Sequence, residues 1–150
     1  MKDVETISVL FTDAVASTAL EERVGPDRAN AALFEHFATL REAIASTGGR
    51  EVKCLGDGLM VVFGSAVAAI RCAVQMQQLL ERRNREAKDA IAIRIGIGLG
   101  DVTSDDGDYF GEPVIQAARL CGRAAADQII CSELVRLMVG ARADHQSHVL

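Results

Sequence analysis

Residues 52–63 read Val52-Lys53-Cys54-Leu55-Gly56-Asp57-Gly58-Leu59-Met60-Val61-Val62-Phe63. Two strand-like runs flank a Gly-Asp-Gly turn, a pattern that predicts a β-hairpin with Asp57 at its tip. A second acidic element, Phe11-Thr12-Asp13, closes the apolar run Ile7–Phe11, which predicts a buried strand. A single Asp in such a position is commonly only a turn or cap residue. Two carboxylates at neighbouring strand ends can instead hold hard cations such as Mg²⁺, which also bind phosphates.

The hairpin lies in the middle of a predicted element order β-α-α-β-β-α-β-α-β-α. Isoleucines at every second position of residues 91–97 predict a strand, and residues 105–108 predict a turn. This order predicts an α+β fold of the ferredoxin-like, split βαβ type, an antiparallel sheet with helices on one face. The loop after the first strand and the hairpin tip then meet at one sheet edge, so we expect Asp13 to lie near Asp57. The helices are predicted to begin at or beside Ser17, Pro26, Ser65, Pro113 and Ser132.

Composition limits the class of protein. A chain of 150 residues, 49% of them hydrophobic, suits one domain, so we expect residues 1–150 to form a single domain. The net charge is −5 and no basic block occurs, which argues against a nucleic-acid partner. No run of about 18 uncharged apolar residues occurs, so we expect no membrane-spanning helix. The four cysteines lie far apart, which favours a reducing compartment, and we expect a cytoplasmic protein.

Further motifs stand in a fixed order between residues 9 and 120. They are Val9–Thr18, Val52–Gly58, Ile93–Gly100, and Gly107–Gly111 followed by Ala117–Leu120. In their order and spacing these stretches closely resemble the class III nucleotidyl cyclases, the family that makes cyclic AMP or cyclic GMP. The resemblance is to the bacterial type that is common in mycobacteria. It implies the cyclase catalytic fold for the single domain.

The resemblance implies a two-metal site. Asp13 and Asp57 would bind two Mg²⁺ or Mn²⁺ ions per site, and the backbone carbonyl of Ala14 would also reach a metal. A helix N-terminus would hold the triphosphate, because its N–H groups and dipole favour anions. The backbone that would do so belongs to Ala14, Val15, Ala16, Ser17 and Thr18.

The resemblance also implies that Lys53 and Asp108 read the base and that Arg119 stabilises the transition state. The enzyme would be a head-to-tail homodimer. Each site would take its metal aspartates from one subunit and Lys53, Asp108 and Arg119 from the other. Adenine offers an acceptor at N1 and an amino donor at N6, which a lysine and an aspartate match, so the pair favours ATP over GTP.

Other readings of these residues stay open in the sequence. Lys53 could be a strand lysine that faces water, Asp108 a solvated turn residue, and Arg119 a partner of Glu112 or Asp108. The chain could then be a degenerate cyclase-like module that binds nucleotide or a partner and signals without turnover. A cyclic-dinucleotide synthase could share the sheet and the two-metal logic, but the signature motifs of those enzymes are absent.

Two departures from the family pattern concern substrate binding. Most active members carry an asparagine that orients the ribose four residues before the arginine, where this chain has Ile115. Gln116 points about 100° away on a helix and does not replace it. Nothing after Arg142 matches the last hairpin of the family, which supplies a lysine to the triphosphate, so we expect that hairpin to be missing and ATP binding to be weaker.

Overall fold

A long strand, β1 (Asp3–Val15), lies at the centre of the sheet in this computed structural model, which describes residues 3–87 and 89–140. The other elements, in chain order, are α1 (Ser17–Val24), α2 (Pro26–Thr47), β2 (Arg50–Leu55), β3 (Gly58–Phe63), α3 (Ala66–Asn84), β4 (Ala92–Asp105), β5 (Asp108–Phe110), α4 (Glu112–Arg123), β6 (Ile129–Cys131) and α5 (Glu133–Val139). Hydrogen-bonded neighbours follow the order β2-β3-β1-β4-β5, and β6 pairs with β4. β1 therefore lies between β3 and β4, as in a split βαβ sheet.

Alternating side chains of β1 divide the core into two layers. Leu10 packs in a cluster with apolar residues of α2, α3 and α5. Val9 and Phe11 belong to a second cluster with Ala117 and Cys121 of α4. Because successive residues of a strand point to opposite faces, α2, α3 and α5 cover one face of the sheet and α4 covers the other.

The predicted α+β, split βαβ class is confirmed, but three details of the sheet differ from the prediction. β6 runs parallel to β4, with Ile95 opposite Ile129, because a helix connects the two strands. The helices lie on both faces rather than on one. Beyond the predicted turn, β5 forms a short hairpin with β4, in which Asp105 pairs with Asp108.

Glycines of β4 explain why α4 lies on the second face. A Cβ at Gly96 would lie 2.2 Å from the backbone nitrogen of Cys121 and 2.3 Å from the carbonyl oxygen of Ala117. These distances are far below van der Waals contact, so only glycine lets the helix backbone approach the strand this closely. The alternation of isoleucine and glycine in β4 therefore provides side chains to one layer and space for a helix to the other.

Two expectations from composition concern the membrane and the cysteines. Among the described residues, the helices include none that combines the length and the apolar character needed to cross a bilayer. Cys54, Cys72, Cys121 and Cys131 are free thiols, and only Cys54 is exposed.

His36 is a buried titratable residue on α2. Its side chain has no solvent exposure, and neither ring nitrogen has a hydrogen-bond partner among the described residues. Burial, and to a smaller extent the positive charge of Arg83, lowers the pKa of His36 to about 4. The folded protein therefore holds this imidazole neutral.

We expect the stability of the fold to decrease in mild acid because of His36. Below pH about 6.5 the unfolded chain binds a proton at this residue, whereas the folded chain does so only near pH 4. The loss should reach about 3 kcal/mol between these limits. Denaturant unfolding of the wild type and of His36→Leu at pH 7.5 and pH 4.5 measures it, and the variant should lack this part of the acid destabilisation. Equal pH dependence in both proteins would contradict the assignment.

Candidate active site

The tip of the β2–β3 hairpin packs against the end of β1. Leu59 N–H donates a hydrogen bond to Thr12 Oγ1 at 3.0 Å. A Cβ at Gly58 would lie 2.0 Å from the carbonyl oxygen of Thr12, so the hairpin backbone and the β1 backbone touch at this point. This contact places Asp57, just before Gly58, beside Asp13. The predicted proximity of the two carboxylates is thus a consequence of the glycine after Asp57.

Asp13 and Asp57 influence each other electrostatically, and Arg94 of β4 contacts Asp13. Asp13 stands opposite Arg94 in the β1–β4 ladder, and its Oδ2 accepts hydrogen bonds from Arg94 Nε at 3.1 Å and Nη2 at 2.7 Å. Burial and the neighbouring Asp57 raise the pKa of Asp13 above its ordinary value, although Arg94 opposes the rise. A divalent cation shared by the two carboxylates would relieve this repulsion.

The carboxylates of Asp13 and Asp57 suit a cation that also binds substrate. The described residues contain no group of three or more His, Cys, Asp or Glu side chains that could hold a metal by themselves. Mg²⁺ needs only one or two protein carboxylates when phosphate oxygens and water complete its six positions. Asp13 and Asp57 therefore fit a metal that is bound together with a nucleotide. Ala14, whose carbonyl was predicted as a further ligand, pairs with Ile93 in the same ladder.

The segment from Ala14 to Thr18 turns from β1 into α1. Ala16, the residue before the helix, has a left-handed backbone with φ 64° and ψ 27°, and no side chain of the described residues caps the helix N-terminus. Ser17 does not cap it, because its Oγ donates a hydrogen bond to Asp57 Oδ2 at 2.6 Å. The first N–H groups of α1 are therefore available to an anion, next to the two carboxylates.

Lys53 and Asp108 form an ion pair, with Lys53 Nζ 2.9 Å from Asp108 Oδ2. The other carboxylate oxygen, Oδ1, accepts a hydrogen bond from the N–H of Tyr109 at 2.8 Å. The Lys53 hydrogen bond, and next the Tyr109 N–H, lowers the pKa of Asp108, so the carboxylate is ionised near neutral pH. The structure thus brings together the two residues predicted to read the base, in an ion pair that stays partly exposed.

Arg119 is exposed on α4 and lies one helical turn after Ile115, which is 51% exposed. Across residues 3–87 and 89–140, Arg119 forms no ion pair with Asp13, Asp57 or Asp108. We call the Asp13–Asp57 pair and the Lys53–Asp108 pair the two half-sites of one chain, and no ion pair between described residues joins Arg119 to either.

Sequence reasoning missed two contacts at this site. Arg94, as a partner of Asp13, was not predicted, although it is a charged residue in the alternating apolar run of β4. Ser17 was predicted to act through its backbone, whereas its hydroxyl holds Asp57. Both contacts depend on which strands are neighbours and in which register, and no spacing in the sequence encodes that directly.

Two predicted site residues, Val15 and Ala16, line a cleft beside α3, whereas the two charged pairs lie outside it. A cleft of about 770 Å³ opens between α3 and the beginnings of β4 and β6, and its lining includes Ala16, Gln77, Glu81 and Asp127. Its lining contains neither the Asp13–Asp57 pair nor the Lys53–Asp108 pair. The side chains of Asp13 and Asp108 are instead 34% and 30% exposed on the open surface.

A family model and individual relatives both identify the chain as similar to nucleotide cyclases. A family model described as the adenylate and guanylate cyclase catalytic domain matches residues 1–148. A protein of Rhizobium meliloti (strain 1021) with the provisional name adenylate cyclase 3 is 34% identical over 139 residues, which cover 91% of this chain and 24% of that protein. The chain thus spans about a quarter of the length of this relative, and about a third of others at the same identity.

Solved structures share the fold closely. An adenylate/guanylate cyclase/hydrolase from Silicibacter pomeroyi has a TM-score of 0.87 and 33% identity, with 97% of this chain and 86% of that chain covered. The adenylyl cyclase CyaB from P. aeruginosa has a TM-score of 0.80 and 25% identity, with 93% and 82% covered. Guanylyl cyclases also share the fold, so the likeness does not distinguish the two nucleotides.

Proposed function

The chain belongs to the adenylate and guanylate cyclase catalytic domain family, and from this premise we propose that it is an adenylate cyclase. It converts ATP to 3′,5′-cyclic AMP and pyrophosphate. The 3′-hydroxyl of the ribose attacks the α-phosphorus in line, and pyrophosphate leaves. No protein nucleophile is needed, which agrees with the absence of a histidine near Ser17 or Thr12 in the sequence.

Asp13 and Asp57 are the residues that would hold two Mg²⁺ or Mn²⁺ ions. When bound, such ions supply positive charge that acidifies the 3′-hydroxyl and neutralises the triphosphate. Ser17 keeps the Asp57 carboxylate oriented through its hydroxyl. The N–H groups at the start of α1 bind phosphate oxygens, and Arg94 adds a fixed positive charge next to Asp13.

The observation that supports ATP over GTP is the Lys53–Asp108 ion pair. It presents a cationic donor and an ionised acceptor 2.9 Å apart. Adenine satisfies both groups, because its N1 accepts from the lysine and its N6 amino group donates to the aspartate. Guanine presents a carbonyl and an N–H in the reverse positions, which would leave both groups mismatched.

The two half-sites of one chain support a homodimer with shared sites. Each site combines Asp13 and Asp57 of one subunit with Lys53, Asp108 and Arg119 of a second copy, in a head-to-tail pair. The guanidinium of Arg119 faces solvent in one chain, where it is accessible to a nucleotide held by the other copy. Such an arrangement agrees with the absence of an ion pair between the base-reading pair and the metal pair among the described residues.

A second candidate function is a cyclase-like domain that binds nucleotide without turnover. Ile115 favours it, because an apolar side chain lies where the family pattern places the ribose-orienting asparagine, on the same helix face as Arg119. The two candidates differ in one measurement. Purified protein incubated with ATP and Mn²⁺ or Mg²⁺ forms cyclic AMP in the first case, and only binds ATP in the second.

We expect ATP to be a far better substrate than GTP, and Lys53→Glu to reverse the order of preference. The glutamate replaces a donor by an acceptor, so kcat/KM for ATP should fall roughly 100-fold, the range that a mismatched polar pair can give. Cyclic product is quantified by chromatography with each nucleotide. Arg71→Glu, at an exposed position of α3, serves as a control with the same change of charge. An unchanged ATP rate in Lys53→Glu would remove this residue from base recognition.

A further inference from the structure

A β-bulge in β2 brings two cationic side chains to one face of the sheet. Arg50 pairs with Val62 and Lys53 with Met60, so Val52 is an extra residue in the strand. In a regular strand, residues three apart point to opposite faces. The inserted residue restores a common direction, and Arg50 and Lys53 both lie on the face of Met60 and Val62.

Both cations contact β5, although β2 and β5 are at opposite ends of the strand order β2-β3-β1-β4-β5. Lys53 pairs with Asp108, and Arg50 contacts the next residue, Tyr109. Arg50 Nη2 donates to the Tyr109 hydroxyl, and Arg50 Cζ lies 5.2 Å from the centroid of the Tyr109 ring. The sheet is therefore curved enough for its two ends to meet, and neighbouring residues on each strand make the contact.

These contacts connect Arg50, through Tyr109, to the carboxylate of Asp108, the residue that we propose reads the base. The Tyr109 N–H donates to Asp108 Oδ1, and the Tyr109 ring is only 7% exposed, so its position is fixed by packing. Arg50 then ties this ring to β2, three residues before Lys53. The orientation of Asp108 relative to Lys53 therefore depends on the Arg50–Tyr109 contact as well as on their own ion pair.

We propose that Arg50 and Tyr109 form a clamp that positions Lys53 and Asp108 for adenine; this inference rests on the proposed function. An adenine ring must enter between Lys53 and Asp108, which separates their direct ion pair. The side chain of Lys53 is 40% exposed and that of Asp108 is 30% exposed, and ion pairs at such exposure contribute little to stability. Arg50 and Tyr109 stay in contact when the base binds, and they keep the two strand ends at the separation that adenine requires.

The test uses Arg50→Met and Tyr109→Phe in the full chain. Tyr109→Phe keeps the ring and the backbone N–H and removes only the hydroxyl. We expect KM for ATP to rise roughly tenfold in Arg50→Met and less in Tyr109→Phe, because a charged hydrogen bond and a cation–π contact are lost in the first and one hydrogen bond in the second. The preference for ATP over GTP should fall by a similar factor, while kcat changes less than KM.

A matched control and a second readout distinguish the positioning of Lys53 and Asp108 from a general loss of order in the protein. Arg41 also makes a cation–π contact, with its Cζ 5.4 Å from the centroid of the Phe37 ring, and it pairs with Glu51. Glu51 is the neighbour of Arg50 in β2 and lies on the other face of the strand. Arg41→Met therefore removes a similar set of contacts on the opposite face. It should leave the ATP preference unchanged. Inhibition by pyrophosphate, which probes the phosphate half of the site, should be the same in wild type and in all three variants.

A lower ATP preference with unchanged pyrophosphate inhibition supports the clamp. An ATP preference that survives in both Arg50→Met and Tyr109→Phe overturns it, and so does a parallel loss of pyrophosphate inhibition. Wild-type protein that shows no ATP preference, in turnover or in displacement of a fluorescent nucleotide, overturns the base-reading assignment itself and the clamp with it.

Discussion

A mixture of Asp57→Ala and Arg119→Ala proteins should recover about a quarter of wild-type activity, although each variant alone is inactive. Asp57→Ala removes a carboxylate from the metal pair of one site. In the proposed homodimer, Arg119→Ala removes the guanidinium that one subunit lends to the site of its partner. In a homodimer of either variant both sites are broken, so we expect at least a 100-fold loss in each, as for removal of a principal transition-state charge.

The recovery follows from two-fold symmetry. In a mixed dimer one site collects both substitutions and the other collects neither. Random exchange makes half of the dimers mixed, and half of the sites in those dimers are intact. Cyclic AMP formation is measured after equal amounts of the two proteins are incubated together, with subunit exchange verified by a labelled chain.

The contrary result is equally clear. If Asp57 and Arg119 served one site within one chain, every site in the mixture would contain at least one substitution, and activity would stay at the level of the single variants. Verified exchange with no recovery would therefore falsify the shared-site proposal. A mixture of Asp57→Ala with Asp13→Ala is the matched control, because both residues lie in the same half-site and no mixing should restore it.

Gly58→Ala should nearly abolish activity without touching a charged group. The added Cβ would lie 2.0 Å from the carbonyl oxygen of Thr12, a backbone atom that cannot swing aside. The hairpin tip must then move away from β1, and Asp57 moves away from Asp13. We expect a loss of about 3 kcal/mol in the free energy of unfolding, at the upper part of the range for overpacking. A displacement of about 1 Å at the metal pair should reduce kcat roughly 100-fold.

Gly64→Ala is the matched control for this prediction. Gly64 follows the same hairpin, and a Cβ there would meet no atom within 4 Å. This variant should keep the stability and the rate of the wild type. Denaturant unfolding gives the stability of both variants, and the rate is measured as cyclic AMP formed with Mn²⁺. A Gly58→Ala protein with wild-type rate would show that the approach of the two backbones does not set the geometry of Asp57.

Patterns along the chain were enough to predict the class of fold and to single out the residues of the half-sites. The alternating isoleucines of residues 91–97 mark a strand, and the Gly-Asp-Gly turn marks a hairpin, because each pattern depends only on neighbours along the chain. The four motifs also identified Lys53 and Asp108 as a pair, and the structure joins them. Such features are local or belong to a family pattern, so they can be predicted without knowledge of the tertiary structure.

The groups that face each other across strands could not be predicted without the pairing of the strands. Arg94 lies opposite Asp13 because β1 and β4 pair in one particular register, and a shift of one residue would turn it to the other face. Arg50 reaches Tyr109 because a bulge at Val52 redirects it and the curved sheet brings β2 to β5. Hydrophobic periodicity specifies which side of a strand is buried, but it carries no information on the partner strand, and the electrostatics of the site depend on that partner.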